Sequence, residues 1–311
     1  MATFSAWGWS LKGTAKFSDY VVSGMSLSEM VKSFRRNGIA VFKVPTTAPF
    51  APAVGQWKNE SAKTLQAYLA KAAAAPGRFG VGKELGFREL VQKDSGRYDM
   101  NFDHLIRGGG EAEGDENFVN EIVRGEMAKV AGPLFQELFG PHYRVNGQGV
   151  VVSQPGAEAQ GWHVDSSWLF EAHPSQDQNP TKAERYRQPC HFVTCFMPLY
   201  QTRTELGPTE FVVGSHKRTH VLGRDTVADQ YPSPAVAATL AAHGEVLQME
   251  AAPGDIVVMD GRMLHRGLGN SSSEVRHLVY ASFCPPWYCE WPRSQSSHRS
   301  LFKAPGQAIP E

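Results

Sequence analysis

Beyond Tyr143 the chain stops reading as helix and starts reading as short strands. Apolar, β-branched runs at Gly149–Ser153, Phe192–Pro198, Phe211–Val213, Val246–Glu250, Asp255–Met259 and Val275–Phe283 are separated by turn-forming Gly, Pro and Ser. A parallel sheet needs a long crossover between strands, and strands at this density leave little room for one, so the pattern predicts a sandwich or barrel. The helical signals come earlier. Ser26-Leu27-Ser28-Glu29 reads as a capping box, Leu27, Met30, Val31 and Phe34 follow at helical spacing, and Asn37-Gly38 ends the helix. Ile39 to Val44 reads as a short buried strand closed by Pro45. Alanine-rich Glu60 to Ala75 predicts a second helix, and Glu116 to Phe139 a third with a break near Gly132-Pro133. The expected fold class is therefore mainly β with flanking helices: a double-stranded β-helix (jelly roll, cupin-like) buttressed by N-terminal α-helices. We read residues 1–311 as one domain, with a helical part over about 1–140, a jelly-roll core over about 141–285 and a tail over 286–311.

Composition narrows the partners. With 41% hydrophobic residues in 311, a sizeable core is affordable, and Lys+Arg equal Asp+Glu at 31 each, so no net charge draws the chain to nucleic acid or anionic lipid. No apolar run approaches the ~18 residues of a membrane span. The opening MATFSAWGWSLKGTAKF has no apolar stretch of signal-peptide length, which leads to the expectation of a cytoplasmic protein. Cys190, Cys195, Cys284 and Cys289 form two pairs spaced by five, wider than paired zinc ligands usually stand, and are read as reduced thiols. The sequons at Asn59 and Asn270 are read as unused on the same ground. Gly108–Gly114 reads as an exposed loop. The polar stretch from Glu171 to Pro189 reads as a lid or substrate loop, with a plain surface insertion as the alternative.

Chemistry enters with His163-Val164-Asp165, about a hundred residues before His265, and with Arg276, which follows that histidine by 11. Two imidazoles and a carboxylate are the ligand set of a non-haem Fe(II) oxygenase, which leaves coordination positions for a co-substrate and O2. On a strand, positions i and i+2 share a face, so His163 and Asp165 can aim at one metal. The planar fork of an arginine suits the far carboxylate of a 2-oxo diacid. His265 and Arg276 are symmetric about the turn-like Asn270-Ser271. A hairpin centred there would set them opposite each other, ~5 Å apart at Cβ. Each piece alone is weak. A lone His-x-Asp is more often a surface pair, and with 11 histidines some fall at suggestive distances. His216 and His220 form a competing pair, although Gly214-Ser215 and Lys217-Arg218 make their segment a polar loop.

Taken together, several stretches resemble the phytanoyl-CoA dioxygenase family of Fe(II)/2-oxoglutarate-dependent oxygenases. Gln160-Gly161-Trp162-His163-Val164-Asp165 looks like the family's Gln-x-x-His-x-Asp, and Leu206 to His216 is similar to its Gly-Pro…Pro-Gly-Ser-His stretch, with Val213 where proline is usual. Pro253-Gly254-Asp255 and His265-Arg266-Gly267 through Asn270-Ser271 to Arg276 look like its C-terminal signature. The resemblance implies that His163, Asp165 and His265 hold iron and that Arg276 binds the distal carboxylate of 2-oxoglutarate, with Thr209 as hydroxyl partner. It also implies that Gln160 meets the carboxylate end nearer the metal. A straight strand would turn Gln160 away, and Gly161 would have to supply a bend. Halogenases of this chemistry lack the carboxylate, so Asp165 favours oxidation with O2: hydroxylation, desaturation, ring closure or endoperoxide formation.

For the substrate, Trp168 and Phe170 are candidate pocket walls, and Arg97, Tyr98 and Asn101 candidates to reach over the barrel mouth. Ordinary packing is the plainer reading for the aromatics. The expected partner is a small organic molecule, a natural-product intermediate, with a homodimer as the expected assembly. Two rivals stay open: a cupin-like metalloenzyme that uses no oxo-acid, for which Arg276 is the discriminator, and a non-catalytic subunit of a heteromeric oxygenase.

Overall fold

The computed structural model describes residues 16–106, 117–166, 169, 189–217, 245–288 and 299–302. The Gly108–Gly114 loop, Trp168, Phe170, residues 171–188, His220 and Cys289 lie outside the described residues.

Helix α1 (Leu27–Asn37) starts where the capping box places it: Ser26 and Glu29 bond each other's backbone N–H groups, and Gly38 closes the helix in the left-handed region. It leads directly into β1 (Ile39–Phe42). Helix α2 (Ala53–Ala74) begins seven residues before the predicted Glu60, directly after Pro52. Val54, Trp57, Ser61, Leu65, Tyr68 and Ala72 form one buried stripe along it, and this stripe rather than alanine content sets its length. The hairpin β2 (Leu90–Asp94) and β3 (Arg97–Asn101), with the short α3 (Asp103–Ile106) behind it, carries no apolar alternation and was not anticipated from sequence.

Helices α4 (Asn117–Asn120) and α5 (Ala128–Phe139) are joined by a π-helical stretch at Glu121–Met127, and α5 runs through Pro133 unbroken. The expected break therefore falls upstream. Ile122, Val123, Met127, Ala131, Leu134 and Phe135 are all fully buried, and that continuous stripe outweighs the ~3 kcal/mol an interior proline costs.

The remaining strands are β4 (Arg144–Ser153), β5 (Val193–Pro198), β6 (Thr209–Val213), β7 (Glu245–Gln248), β8 (Ile256–Asp260), β9 (His265–Gly267) and β10 (Arg276–Cys284). They form an antiparallel seven-stranded sheet in the order β1-β8-β5-β10-β4-β3-β2 and a three-stranded sheet in the order β7-β6-β9. β1, β2 and β3 precede residue 140, so the early part of the chain supplies strands as well as buttressing helices.

Side-chain alternation sorts the large sheet into two faces. Phe42, Met100, Val150, Val152, Cys195, Val258, Val279 and Phe283 pack outward with α1, α2 and α5 in the main core. Phe135 of α5 stacks on Phe283 of β10 at 4.5 Å between centroids. Ile39, Val41, Phe196, Val257, Leu278 and Tyr280 point the other way, toward Phe211, Val213 and Leu247 of the small sheet. Among the described residues no helix is long and apolar enough to cross a membrane.

Candidate metal centre

The site lies between the inner faces of the two sheets. On β10, Arg276 shares its face with Leu278 and Tyr280; on β9, His265 and Gly267 stand opposite Phe211 and Thr209 of β6. His163 and Asp165 come from the segment after β4. His163 makes a single antiparallel bridge to His265, each backbone N–H donating to the other's carbonyl at 2.9 Å. Asp165 then sits in a bend. A bridge and a bend, not the expected strand, bring the two side chains to one point.

Ligand atoms of His163, Asp165 and His265 all lie within 4.8 Å of one another. The imidazole centroids are 4.3 Å apart, and His265 Nε2 is 3.6 Å from Asp165 Oδ1. Backbone carbonyls orient both rings: His163 Nδ1 lies 2.8 Å from Gly161 O, and His265 Nδ1 lies 3.0 Å from Met263 O. A carbonyl can only accept, so each Nδ1 carries the hydrogen and each Nε2 presents its lone pair to the common point. The Thr194 hydroxyl donates to Asp165 Oδ2 at 2.6 Å, and the Asp165 N–H donates to Gly261 O at 2.7 Å. The donor set and its spacing fit a divalent transition metal.

The turn between β8 and β9 therefore serves two members of the cluster, offering Gly261 O to Asp165 and Met263 O to His265. It is fixed by a buried bidentate pair, with Arg262 Nε and Nη2 donating to Asp260 at 2.8 and 2.7 Å. Burial alone would push the Asp260 carboxyl up; the guanidinium beside it holds it well below the usual carboxylate range.

Arg276, Thr209 and Gln160 line the same cavity. Arg276 does not face His265 across a hairpin: β9 pairs with β6 in the small sheet, and β10 lies between β5 and β4 in the large one. Residues 268–275 cross from one sheet to the other, so the two side chains meet across the cleft between layers. The Arg276 guanidinium is fully buried, bonds Gly207 O through Nη1, and leaves Nε with no partner among the described residues. Burial lowers its pKa. A buried cation with an unmet donor, facing a cavity, fits a carboxylate. The Gln160 side chain does turn inward, its Oε1 accepting from the Gly267 N–H at 3.1 Å. Gly267 has no space for a side chain: a Cβ there would stand 2.7 Å from Gln160 Oε1 and 2.9 Å from Arg97 Nη1.

The residues expected over the mouth stand elsewhere. Arg97 is fully buried in the wall, donating to Ser153 Oγ, Glu158 O and Leu268 O at 2.7–2.8 Å. Its pKa falls to about 9, from burial and from Arg276. Tyr98 packs on the outer face against the main core, and Asn101 Oδ1 accepts from the Asp103 N–H at the start of α3. His216 is buried beside Gly38, its Nε2 lying 3.3 Å from Arg35 O, away from the triad.

Sequence reasoning missed several cavity residues. Thr194 and Phe196, and Leu278 and Tyr280, follow from alternation once one residue on each strand is placed. Lys83, Lys93 and Asp99 carried no comparable signal.

The chain is 30% identical to the dioxygenase hkm4 of Aspergillus hancockii over 144 residues, a match that takes in 46% of this chain and only 39% of that protein. In fold it is similar to AviO1 from Streptomyces viridochromogenes Tue57, at a TM-score of 0.54 and 19% identity over 86% of this chain and 99% of that one. It is likewise similar to the epimerase SnoN in complex with Fe3+, alpha ketoglutarate and nogalamycin RO, at a TM-score of 0.55 and 17% identity over 91% and 92% of the two chains. The family model for phytanoyl-CoA dioxygenase matches residues 34–278, from α1 into β10 and across His163, Asp165 and His265, and the chain belongs to that family.

Proposed function

We propose that this chain is an Fe(II)- and 2-oxoglutarate-dependent dioxygenase that oxidises a C–H bond of a small organic molecule, a natural-product intermediate. One observation carries the reading: three ligand atoms within 4.8 Å share a cavity with a buried arginine whose Nε is unmet. His163, Asp165 and His265 hold the metal through Nε2, a carboxylate oxygen and Nε2. Bound iron, with O2 and the oxidative decarboxylation of 2-oxoglutarate, supplies the oxidising power. The Arg276 guanidinium takes the distal carboxylate of the oxo-acid with help from the Thr209 hydroxyl, and the Gln160 amide stands toward its other end. Thr194 keeps the Asp165 carboxylate turned to the metal. Val151, Phe196 and Leu278 give the cavity an apolar wall that excludes water and positions the reacting carbon. The cleft is open at its mouth and combines apolar walls with a few convergent polar groups, as sites for small molecules do. The ligands named with SnoN support the same class of chemistry.

A metalloenzyme without oxo-acid offers no partner for the unmet Nε of Arg276 beside the cavity. Calorimetric titration of 2-oxoglutarate into Mn(II)-loaded protein separates the two readings: binding that Arg276→Met weakens by ~100-fold or more supports the oxygenase. Equal binding to both proteins, or none to either, overturns it. His163→Ala, Asp165→Ala and His265→Ala should each abolish Mn(II) binding and succinate release.

A further inference from the structure

The outer face of the small sheet carries a row of polar contacts that ends beside His163. Thr209, His265 and Gly267 line the cleft, so their neighbours Glu210 and Arg266 face away from it. Gln248 of β7 stands opposite Glu210, and Glu210 stands opposite Arg266. The contacts follow that register. Gln248 Nε2 donates to Glu210 Oε1 at 3.1 Å, and Arg266 Nε donates to Glu210 Oε2 at 2.9 Å, with Nη2 at 2.8 Å from the same oxygen. The Arg266 guanidinium carbon then lies 4.5 Å from the centroid of the Trp162 ring. Trp162 packs beside Val164, Val212 and Leu264.

The backbone explains why an indole stands there. The Gln160 N–H donates to Gly267 O at 2.8 Å, and the His163 N–H donates to His265 O at 2.9 Å. Between those two points one side of the pairing spends Gly161 and Trp162, and the other only Arg266. That two-against-one count is the mark of a bulge, which re-aims a side chain. The segment meets β9 through the single His163–His265 bridge, not through a ladder. One bridge alone gives little protection against local opening. A planar guanidinium, fixed by Glu210 and laid on the indole, adds a second attachment one residue away from each imidazole. We propose that the Trp162–Arg266 stack, anchored through Glu210 and Gln248, is a positioning device that sets the His163 imidazole against that of His265 for metal binding. This rests on the metal-binding reading and adds to it residues on the far side of the sheet from the cleft.

The test compares the full chain with its Trp162→Leu, Trp162→Phe and Arg266→Lys variants. Lysine keeps a charge facing Glu210 but cannot stack as a plane, and phenylalanine keeps an aromatic face. In metal-free protein, hydrogen exchange at the His163 and His265 amides should speed up at least about 3-fold in Trp162→Leu and Arg266→Lys, while β5 and β8 amides of the large sheet stay within about 2-fold. Mn(II) affinity, measured by calorimetry, should fall about 10-fold in the same two variants and stay within about 3-fold of wild type in Trp162→Phe. The Arg266 side chain is 31% exposed, so its lysine variant folds and decides the matter if Trp162→Leu does not. A general loss of stability would speed exchange in both sheets alike, and that result overturns the proposal. So does unchanged exchange at the two amides, or wild-type Mn(II) affinity in the folded variants. Failure of the wild-type protein to bind Mn(II) strikes the metal-binding reading instead. Exchange at the His163 and His265 amides then still decides whether the stack holds the pair.

Discussion

The Thr194 hydroxyl donates to Asp165 Oδ2 over 2.6 Å, with both residues buried. It holds the carboxylate in one orientation, so that the other oxygen faces the imidazoles. Thr194→Val keeps the shape and removes the donor. Mn(II) affinity, measured by calorimetry, should fall about 10-fold or more, and Thr194→Ser should recover most of it. Unchanged affinity in the valine variant would remove Thr194 from the site.

Arg97 should matter for stability and not for substrate choice. Arg97→Met deletes three hydrogen bonds worth about 1 kcal/mol each and leaves two carbonyls unmet. Relief of the repulsion from Arg276 offsets part of that loss. Urea denaturation should show a net cost of about 2 kcal/mol. The ranking of substrates by kcat/KM should be unaltered.

The Asp260–Arg262 pair should couple folding to metal binding. Arg262→Met strands a buried carboxylate and should cost about 3–5 kcal/mol. It should also weaken metal binding, because the same turn presents Gly261 O and Met263 O to Asp165 and His265. Asp260→Leu added to Arg262→Met should return part of the stability in denaturant melts.

Stability should fall on acidification. His277, its Nδ1 2.9 Å from Ser61 Oγ, is buried and its pKa lowered to about 4 by burial and by Lys58; burial lowers His216 to about 4 as well. Between pH 4 and 6.5 the unfolded chain binds protons that the folded one refuses. Stability therefore rises with pH across that window and is lost below it. Each histidine should contribute on the order of 3 kcal/mol between pH 7 and 4. Urea midpoints for the wild type and His277→Asn should diverge as pH rises from 4 to 7, and parallel curves would exclude the histidine.

Much of this molecule was readable from its residues because alternation and spacing are local. α1, β1 and the long strands of the large sheet follow from apolar period and caps. The ligand triad stood out because rare residue types fell at informative intervals. The β2–β3 hairpin was invisible: Gln92, Lys93, Asp94 and Arg97 give no apolar alternation, since this edge is held by pairing to β4 and by buried polar contacts. Arg97 looked like a surface residue because nothing nearby in sequence reveals partners at Glu158 and Leu268. The hairpin between His265 and Arg276 failed for a global reason. Symmetry about a turn predicts adjacent strands, but here the chain changes layers within residues 268–275.

That change of layers has a mechanical consequence. The imidazole of His265 and the guanidinium of Arg276 ride on different slabs of the sandwich, so a molecule touching both acts as a rivet between them. Occupancy is then worth cohesion: at a hundredfold excess over Kd, a bound dicarboxylate adds about 2.7 kcal/mol to the folded form, and does so where the slabs could otherwise part.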